Sequence, residues 1–465
     1  MNVSRREFIT SASAAGLLAG CRSFPCGGAG CGPRPSDAHL RWADLERGMF
    51  FHFDIPVYKP DWEWRTFKDF PDPKLYNPAK LDTDQWMEAA KAMGAKYCVF
   101  VAKHCSGFMQ WQTDIYDYGC RQAVNFEGGK GDLVRRFVDS CRRYGMMPGL
   151  YASVSANGWL GVDNPGLVNH GKGGGDAAQK RYNAICEKMA TELWTRYGDL
   201  GEIWFDGGAL PPEQGGPDLV PLLEKYQPNA ILFQGPARAN NLIRWVGNER
   251  GVAPYPCWSR TDELTSEGGD REHCFRGDFD GRYWSPGECD VPIRYQRWFW
   301  TPEPVGKGWR YWTQQELLEK YYQSVGRNCN LLLNANPGPD GLVPEEDFKR
   351  YAAFGREIER RFAKPLAVAE GASEIKFSET TRVNQIVVQE DLRRGERVRA
   401  YRVEVVTPAG ETKTVARGES IGHKRIQMFA PERARAIRVV AEKASDAPAW
   451  RTFAAYSVED EKIYG

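Results

Sequence analysis

The feature of this chain that most limits its fold is the alternation of short apolar runs with longer amphipathic stretches. Six apolar runs of strand type lie at 48–53, 97–102, 147–152, 202–205, 230–233 and 330–334. The intervening stretches with apolar residues three to four apart, a spacing typical of helices, include 83–93, 133–144, 177–196 and 314–325. Such alternation is the pattern of βα units around a parallel sheet. The sequence therefore predicts an α/β fold, a (β/α)8-like TIM barrel that need not be regular.

From about residue 366 onward the pattern changes. Polar and apolar residues alternate at 397–405 and at 436–440, and a turn of the Pro-Ala-Gly type stands at 408–410. A period of two residues is typical of half-buried strands. We therefore expect the barrel at 39–365 and a C-terminal β-sandwich at 366–465.

The first residues have the pattern of an export signal. Arg5 and Arg6 are followed by a short run of small and apolar residues that ends in Leu-Ala-Gly-Cys at 18–21. This resembles a bacterial lipoprotein signal of the twin-arginine type. The run is shorter than the roughly 20 residues that span a bilayer, which argues against the alternative of a permanent membrane helix. We expect a leader at 1–21, lipidation of Cys21, a flexible tether at 22–38, and a protein held at the periplasmic or cell-surface side of a membrane only by its lipid.

Composition excludes several classes of partner and cofactor. The net charge is +1, from 62 basic and 61 acidic residues without a long run of one sign, so no nucleic-acid partner is expected. Three of the twelve Cys lie in the leader and tether and the others are scattered, which is not a disulfide framework. Cys26 and Cys31 flank a Gly-rich run without other ligands nearby, a pattern that favours a linker over a metal site. We expect no metal and no cofactor.

Residues of catalytic type stand at the ends of the expected strands. His52 follows the first strand, His104 the second, Tyr151 lies in the third, and Asp206 follows the fourth. The carboxyl ends of barrel strands meet on one face, where active sites form. A histidine at such a place is often only structural, yet two of the six His in the chain lie there. We therefore expect these four side chains to share a site.

Two acids have the positions of a catalytic pair. Asp206 stands where an apolar strand opens into Gly207 and Gly208, and Glu249 lies about one βα unit further along. Retaining glycosidases use two carboxyl groups about 5 to 5.5 Å apart, one as nucleophile and one as acid and base. The alternatives are a helix cap for Asp206 and an ion pair with Arg244 or Arg250 for Glu249.

The segments around these acids resemble glycoside hydrolase family 29, the retaining α-L-fucosidases. The two central matches are Trp-Phe-Asp-Gly at 204–207 and Arg-Trp-Val-Gly-Asn-Glu-Arg-Gly at 244–251. Further matching segments lie at 51–53, 63–64, 102–104, 107–108, 129–134, 149–151, 288–294, 330–334, 388–392, 395–398 and 420–425. The resemblance thus extends from about residue 40 to residue 465. The C-terminal segments and Gly-Asn-Glu are most similar to the subgroup that prefers α-1,3- and α-1,4-linked fucose on branched glycans.

The resemblance implies an exo-acting glycosidase for fucosylated oligosaccharides or polysaccharides. It implies that Asp206 is the nucleophile and Glu249 the acid/base. Glu288 is a second candidate for the acid/base; its alternative is a structural role with Arg294 or the neighbouring Trp298 cluster as partners. The residues that the resemblance places in the fucose pocket are His52, Glu63, Trp64, His104, Tyr151, Trp204 and Arg244. The two His would bond sugar hydroxyls, Glu63 would accept hydrogen bonds from them, and the two Trp would cover apolar sugar surface.

Three places depart from the family pattern. Cys105 and Ser106 stand where the family usually has His and Asp, Asp54 replaces a Gly, and 153–158 replaces a Ser-Pro-Trp-Asp-like stretch. All three are expected at the barrel mouth. Our hypothesis is that the catalytic carboxylates are kept while the glycone subsite is rebuilt. Asp54 could replace a lost contact, or the subsite could fit a related sugar such as an α-L-galactoside or a modified fucose from a polysaccharide. The rival from another class is a lipid-anchored carbohydrate-binding protein without turnover.

Overall fold

The computed structural model describes residues 32–168, 175–264, 275–302 and 310–459. The expected leader, the lipidation site Cys21 and the part of the expected tether up to residue 31 lie outside the described residues. Among the helices of the described ranges, none is both long and apolar enough to cross a bilayer.

Eight parallel strands close into a barrel in which every strand pairs with its neighbours in chain order. The strands are β1 Arg47–Phe51, β2 Tyr97–Lys103, β3 Met147–Ala152, β4 Glu202–Trp204, β5 Ile231–Phe233, β6 Leu242–Trp245, β7 Gly287–Pro292 and β8 Cys329–Ala335. The barrel closes where β1 pairs with β8, with Met49 opposite Leu333. The predicted α/β barrel is confirmed.

Strands β6 and β7 were not predicted as strands. Both carry ionisable residues, Arg244 in β6 and Glu288 and Asp290 in β7, so neither forms a continuous apolar run. All six residues of β7 are nevertheless buried, because it lies inside the closed sheet. Residues 234–241 join β5 to β6 without a helix, which makes the barrel irregular.

The helices pack around the barrel. They are α1 Asp37–Ala43, α2 Thr83–Met93, α3 Leu133–Arg143, α4 Gly175–Arg196, α5 Val220–Tyr226, α6 Gln314–Gln323 and α7 Glu345–Phe362. Helix α2 shows why these segments are helical: the Asp82 carboxylate accepts hydrogen bonds from two amides of the first turn, and Gly94 ends the helix with a φ of 81°. Its buried residues Trp86, Ala90 and Met93 are three to four apart and form the stripe that faces the barrel.

The C-terminal part is an antiparallel sheet with the strand order β9-β14-β10-β13-β11-β12. Its strands are β9 Ala367–Glu370, β10 Glu374–Glu390, β11 Val398–Val406, β12 Thr412–Gly418, β13 Arg425–Ala444 and β14 Trp450–Tyr456. The long strands β10 and β13 carry register shifts, and apolar side chains from this sheet form a core of their own. The predicted all-β C-terminal module is confirmed.

Strand β10 shows how this sheet braces the barrel. Ile386 and Val388 belong to the module's own core, whereas Val387 between them packs into the barrel core. Successive side chains of a strand point to opposite faces, so one strand contributes to both cores. The neighbouring Gln385 accepts a 2.5 Å hydrogen bond from the hydroxyl of Tyr322 in α6, and both residues are fully buried.

We predict that Tyr322→Phe destabilises the protein by about 1 to 3 kcal/mol, because the Gln385 oxygen loses its donor in a place that water does not reach. The midpoint of urea unfolding, followed by tryptophan fluorescence, should move to lower urea. Tyr144→Phe is the control, since its hydroxyl makes only a 3.4 Å contact with Glu88 at the surface. Equal midpoints for the two variants would contradict a bracing role of this bond.

Candidate active site

A cavity of about 540 Å³ opens at the carboxyl ends of the barrel strands. Eight of the predicted site residues line it, namely His52, Glu63, Trp64, His104, Tyr151, Trp204, Asp206 and Glu249. They come from the ends of β1 to β4 and from the loops after β1 and β6. Closure of the barrel thus brings distant segments of the chain to one site.

Asp206 is presented by a strand that bends sharply. The amide of Phe205 still bonds to the Phe233 carbonyl in the sheet, and Gly207 then takes a φ of 74°. A Cβ at Gly207 would lie 2.5 Å from the Asn164 side-chain nitrogen, so this turn requires glycine. The next helical element is the 3-10 turn Pro212–Gln214, with Pro211 before it. Asp206 is therefore not a helix cap, and its half-buried carboxylate faces the cavity.

The carboxylate of Asp206 is oriented by Tyr151. The Tyr151 hydroxyl donates a 2.9 Å hydrogen bond to Oδ2, and the Tyr151 ring lies between Trp204 and His104. Burial, together with the negative charge of Asp206, raises the pKa of Tyr151 well above its usual value. The phenol thus keeps its proton and remains a donor to the carboxylate.

The two cavity histidines are neutral. His52 donates from Nδ1 to Asn334 Oδ1 at 2.6 Å, because the Asn334 amide nitrogen is itself bound to the Trp298 carbonyl. Burial lowers the pKa of His52 to about 3. Burial also lowers the pKa of His104 well below its usual value, with smaller contributions from His52 and Lys103. His52 Nε2 therefore carries a lone pair, an acceptor for a hydroxyl group.

Glu249 lies in a loop whose shape is fixed by its own hydrogen bonds. Asn248 donates to the Val252 carbonyl at 2.6 Å and accepts from the Arg250 amide, while the Gly251 amide bonds to the Asp290 carbonyl. Glu249 itself has a φ of 51°, a conformation that costs a non-glycine residue of the order of 1 kcal/mol. Backbone held in this way is common at functional sites.

Asp290 lines the cavity and was not predicted as a site residue. It is buried on β7, and Trp245 donates a 2.7 Å hydrogen bond to its Oδ1. Burial first, and then the charge of Glu249, raise the pKa of Asp290 well above its usual value. If β7 had been recognised as a strand, the candidate Glu288 would have pointed to Asp290, since residues two apart in a strand face the same side.

Two predicted residues do not line the cavity. Glu288 is fully buried inside the barrel, where it accepts hydrogen bonds from the Tyr97 hydroxyl at 2.6 Å and from the Trp204 indole at 3.1 Å. The Tyr97 hydroxyl and the Trp204 indole are thus the partners of Glu288, in place of the expected Arg294 or Trp298. Burial raises the pKa of Glu288 beside the equally buried Glu202.

Arg244 is the other predicted residue that the fold holds outside the cavity lining. Its guanidinium bonds to the Ser285 carbonyl and approaches the Cys257 sulfur at 3.3 Å. The side chain is buried between β6 and the segment before β7. Arg244 is therefore not among the residues that line the cavity.

An aromatic wall completes the cavity and was also not predicted as part of the site. Trp298, Phe299 and Trp300 follow β7 and line one side. The Trp298 ring lies 4.9 Å from that of His52, and the Phe299 ring lies 4.9 Å from that of His104. Flat apolar rings opposite hydrogen-bonding groups form a surface suited to a pyranose ring, which has apolar C–H faces and polar edges. The aromatic run 298–300 was the available sequence signal.

Comparison with known proteins identifies the family. The family model described as alpha-L-fucosidase matches residues 36–360. The chain belongs to the α-L-fucosidase family, glycoside hydrolase family 29. Its assignment as a glycoside hydrolase is thereby confirmed.

Relatives of this family match over most of the chain. Alpha-L-fucosidase 1 of Arabidopsis thaliana is 30% identical over 90% of this chain and 86% of its own length. A solved candidate alpha-L-fucosidase of Bacteroides thetaiotaomicron is 39% identical, with a TM-score of 0.85 over 92% of this chain and 100% of its own. A solved family 29 member from an unknown rumen bacterium is 27% identical, with a TM-score of 0.75 over 93% of this chain and 78% of its own.

Two of the departures from the family pattern compensate each other below the cavity. Asp54 is fully buried, its Oδ2 accepts a 2.6 Å hydrogen bond from the Ser106 hydroxyl, and its Oδ1 accepts from the Ile55 amide. Neither Asp54 nor Ser106 lines the cavity. The expectation that they lie at the mouth was wrong, because Asp54 caps the 3-10 helix Ile55–Tyr58 instead.

The remaining departures, segment 153–158 and Cys105, differ from each other in whether they line the cavity. Segment 153–158 is held to the barrel by Lys103, whose ammonium donates to the carbonyls of Ser153 and Ala156 at 2.6 Å, and it does not line the cavity. Cys105 does line it, beside Trp64 and Tyr151. Of the changed positions, Cys105 is the one that faces the site.

We predict a pH-dependent gain of stability in Asp54→Asn. Burial raises the pKa of Asp54 to about 7 from 3.8, so its stabilising contribution is present below about pH 4 and is lost as pH rises through about 7. In Asp54→Asn the side-chain oxygen can still accept from the Ile55 amide, and the side-chain nitrogen can donate to the Ser106 hydroxyl oxygen, without any group that ionises. The free energies of unfolding of the variant and the wild type, measured by urea unfolding, should be similar near pH 4 and should differ by up to about 4 kcal/mol above pH 7. Asp61→Asn at the surface is the control, and a constant difference at all pH values would contradict the assignment.

Proposed function

We propose that this protein is an exported, retaining exo-glycosidase that removes α-L-fucosyl residues from fucosylated oligosaccharides or polysaccharides. The observation that carries this proposal is the presence of Asp206 and Glu249 on one cavity, with Asp206 oriented by Tyr151, in a chain of the α-L-fucosidase family. The relatives from Arabidopsis and Bacteroides support the glycone.

In the first step an Asp206 oxygen attacks the anomeric carbon and forms a glycosyl ester, while the carboxyl group of Glu249 gives its proton to the departing glycosidic oxygen. In the second step the Glu249 carboxylate takes a proton from water, the water oxygen attacks the anomeric carbon, and the Asp206 carboxylate is released. The Tyr151 hydrogen bond to Oδ2 holds the carboxylate plane in place for both steps. Two displacements at one carbon retain the anomeric configuration.

The sugar is held by groups whose protonation is set by burial. Neutral His52 offers Nε2 as an acceptor, His104 lies beside it, and Glu63 at the rim adds a carboxylate. The indole of Trp64 supplies apolar surface, whereas the Trp204 ring is stacked between Tyr151 and Phe233 and positions Tyr151. The finer preference for α-1,3 and α-1,4 linkages rests on the sequence resemblance alone.

A changed glycone is the second candidate, and Cys105 is the observation that favours it. A thiol is a weak donor, so a hydroxyl that an imidazole would bind loses a partner worth about 1 to 3 kcal/mol. The smaller side chain also leaves room for a further substituent, as in an α-L-galactoside. Asp54 takes no part in this alternative because it is buried under the cavity.

A binding protein without turnover is the weaker alternative. It gives no reason for two carboxyl groups on one cavity or for the Tyr151 bond to Asp206. Export by the twin-arginine route and anchoring through Cys21 rest on the leader pattern. The membrane is then a partner only through the lipid.

We predict opposite azide products for the two carboxylate variants. Asp206→Gly should lose at least about 10³-fold in kcat on an aryl α-L-fucoside, and azide should then restore turnover with a β-L-fucosyl azide product. Glu249→Ala should lose about 10² to 10⁴-fold on poor leaving groups, much less on activated ones, and azide should give the α-L-fucosyl azide. The anomers are distinguished by proton NMR.

Glu288→Gln is the matched control for the acid/base assignment. It should not respond to azide, because Glu288 is enclosed by Tyr97 and Trp204. If Glu288→Gln gave the α-azide and Glu249→Ala did not, the two roles would have to be exchanged. A wild-type protein that binds sugars and cleaves none would support the binding protein instead.

We predict that aryl α-L-fucoside has the highest kcat/KM of a panel of aryl glycosides that includes α-L-galactoside and β-D-galactoside. The expected ratio between the two α-L sugars is about 10-fold or more, since one misplaced hydroxyl in a fitted pocket costs at least 1.4 kcal/mol. A higher kcat/KM for the α-L-galactoside would mean that the preferred glycone is L-galactose rather than L-fucose, and it would leave the proposed mechanism unchanged.

A further inference from the structure

Three different donor atoms converge at the proposed nucleophile. A ring nitrogen of His104, Sγ of Cys105 and a carboxylate oxygen of Asp206 all lie within 4.8 Å of one another. Cys105 Sγ is 3.9 Å from Asp206 Oδ2. We propose that these three side chains form a binding site for a soft divalent cation such as Zn²⁺, which blocks the nucleophile reversibly. The inhibitory part of this inference rests on the proposed role of Asp206, whereas the binding part does not.

The geometry is close to that of a tetrahedral metal site. Bonds of about 2.0 to 2.3 Å to nitrogen, oxygen and sulfur place ligand atoms about 3.3 to 3.6 Å apart. The separations of up to 4.8 Å would have to contract by about 1 Å on binding, through rotation of the His104 and Asp206 side chains. Adjacent residues after β2 supply two donors and the end of β4 supplies the third, so the barrel holds their backbones in place.

The donor set selects the kind of metal. A thiolate with an imidazole favours Zn²⁺ and related soft cations, whereas Mg²⁺ and Ca²⁺ prefer oxygen ligands alone. His104 offers an imidazole nitrogen as the third kind of donor beside the thiolate and the carboxylate. On binding, the Cys105 thiol releases its proton to solvent and a sulfur–metal bond forms. A fourth position remains open toward the cavity for water.

Occupation of this site and attack on a sugar exclude each other. A cation bound to Asp206 engages the carboxylate that would form the glycosyl ester, and it lies where the anomeric carbon must come. The cation should therefore compete with substrate. Inhibition by a soft cation depends on Cys105, because Cys105 supplies the thiolate of the donor set. The family usually has a His at this position, so the proposed inhibition is a property of this chain.

The test uses the full chain, freed of metal by a chelator, with Zn²⁺ and an aryl α-L-fucoside. We expect Zn²⁺ to raise the apparent KM without a change of kcat, and EDTA to reverse the effect. In Cys105→Ser, the inhibition constant, compared with that variant's own activity, should rise at least about 10-fold. Titration of the wild type with Co²⁺ should produce a thiolate-to-metal absorption band in the near ultraviolet that Cys105→Ser lacks.

Cys257→Ser is the control for other thiols, because Cys257 and Cys329 form a separate buried pair with their sulfurs 3.5 Å apart. It should keep both the inhibition and the Co²⁺ band. Equal inhibition of the wild type and Cys105→Ser, or loss of the band only in Cys257→Ser, would overturn the proposed site. If the fucoside is not cleaved at all, the Co²⁺ and Zn²⁺ binding titrations still decide the metal site, and only the proposed function fails.

Discussion

The pairing of β1 with β8 closes the barrel, and the position of every site residue depends on that closure. Residues almost 300 positions apart become neighbours, so the His52 amide bonds to the Ala335 carbonyl and the His52 ring bonds to Asn334. Because parallel strands enter the barrel in one direction, their carboxyl ends carry His52, His104, Tyr151 and Asp206 to the same face. The cavity is a consequence of the topology, and the loops only complete its walls.

Burial then sets the charge of the groups around the cavity. Low exposure keeps His52 and His104 neutral and raises the pKa of Asp290, since a charge without water or a counterion is costly. Asp206, at the rim of this region, keeps a half-exposed carboxylate with a phenol donor. The Asp206 carboxylate, which is the proposed nucleophile, thus faces neutral groups that can bond hydroxyls, as the proposed attack on a neutral sugar requires.

Substitutions relative to the family pattern follow the same physical rules. Asp54 and Ser106 satisfy each other in a place without solvent, because a buried carboxyl group requires a hydrogen-bond partner. They are therefore explained by packing rather than by the substrate. Cys105 differs, since its thiol faces the cavity beside Asp206 and changes what can bind there.

The sequence by itself determined the fold class, six of the eight barrel strands and the residues of the site that stand at strand ends. Apolar runs and helical spacing are local signals, and in a parallel barrel the strand end alone indicates the face. Only the tertiary structure decided that β6 and β7 are strands, because their polar side chains are buried by neighbours distant in sequence. For the same reason only the fold separated Glu249 and Asp290, which line the cavity, from Glu288 and Arg244, which do not.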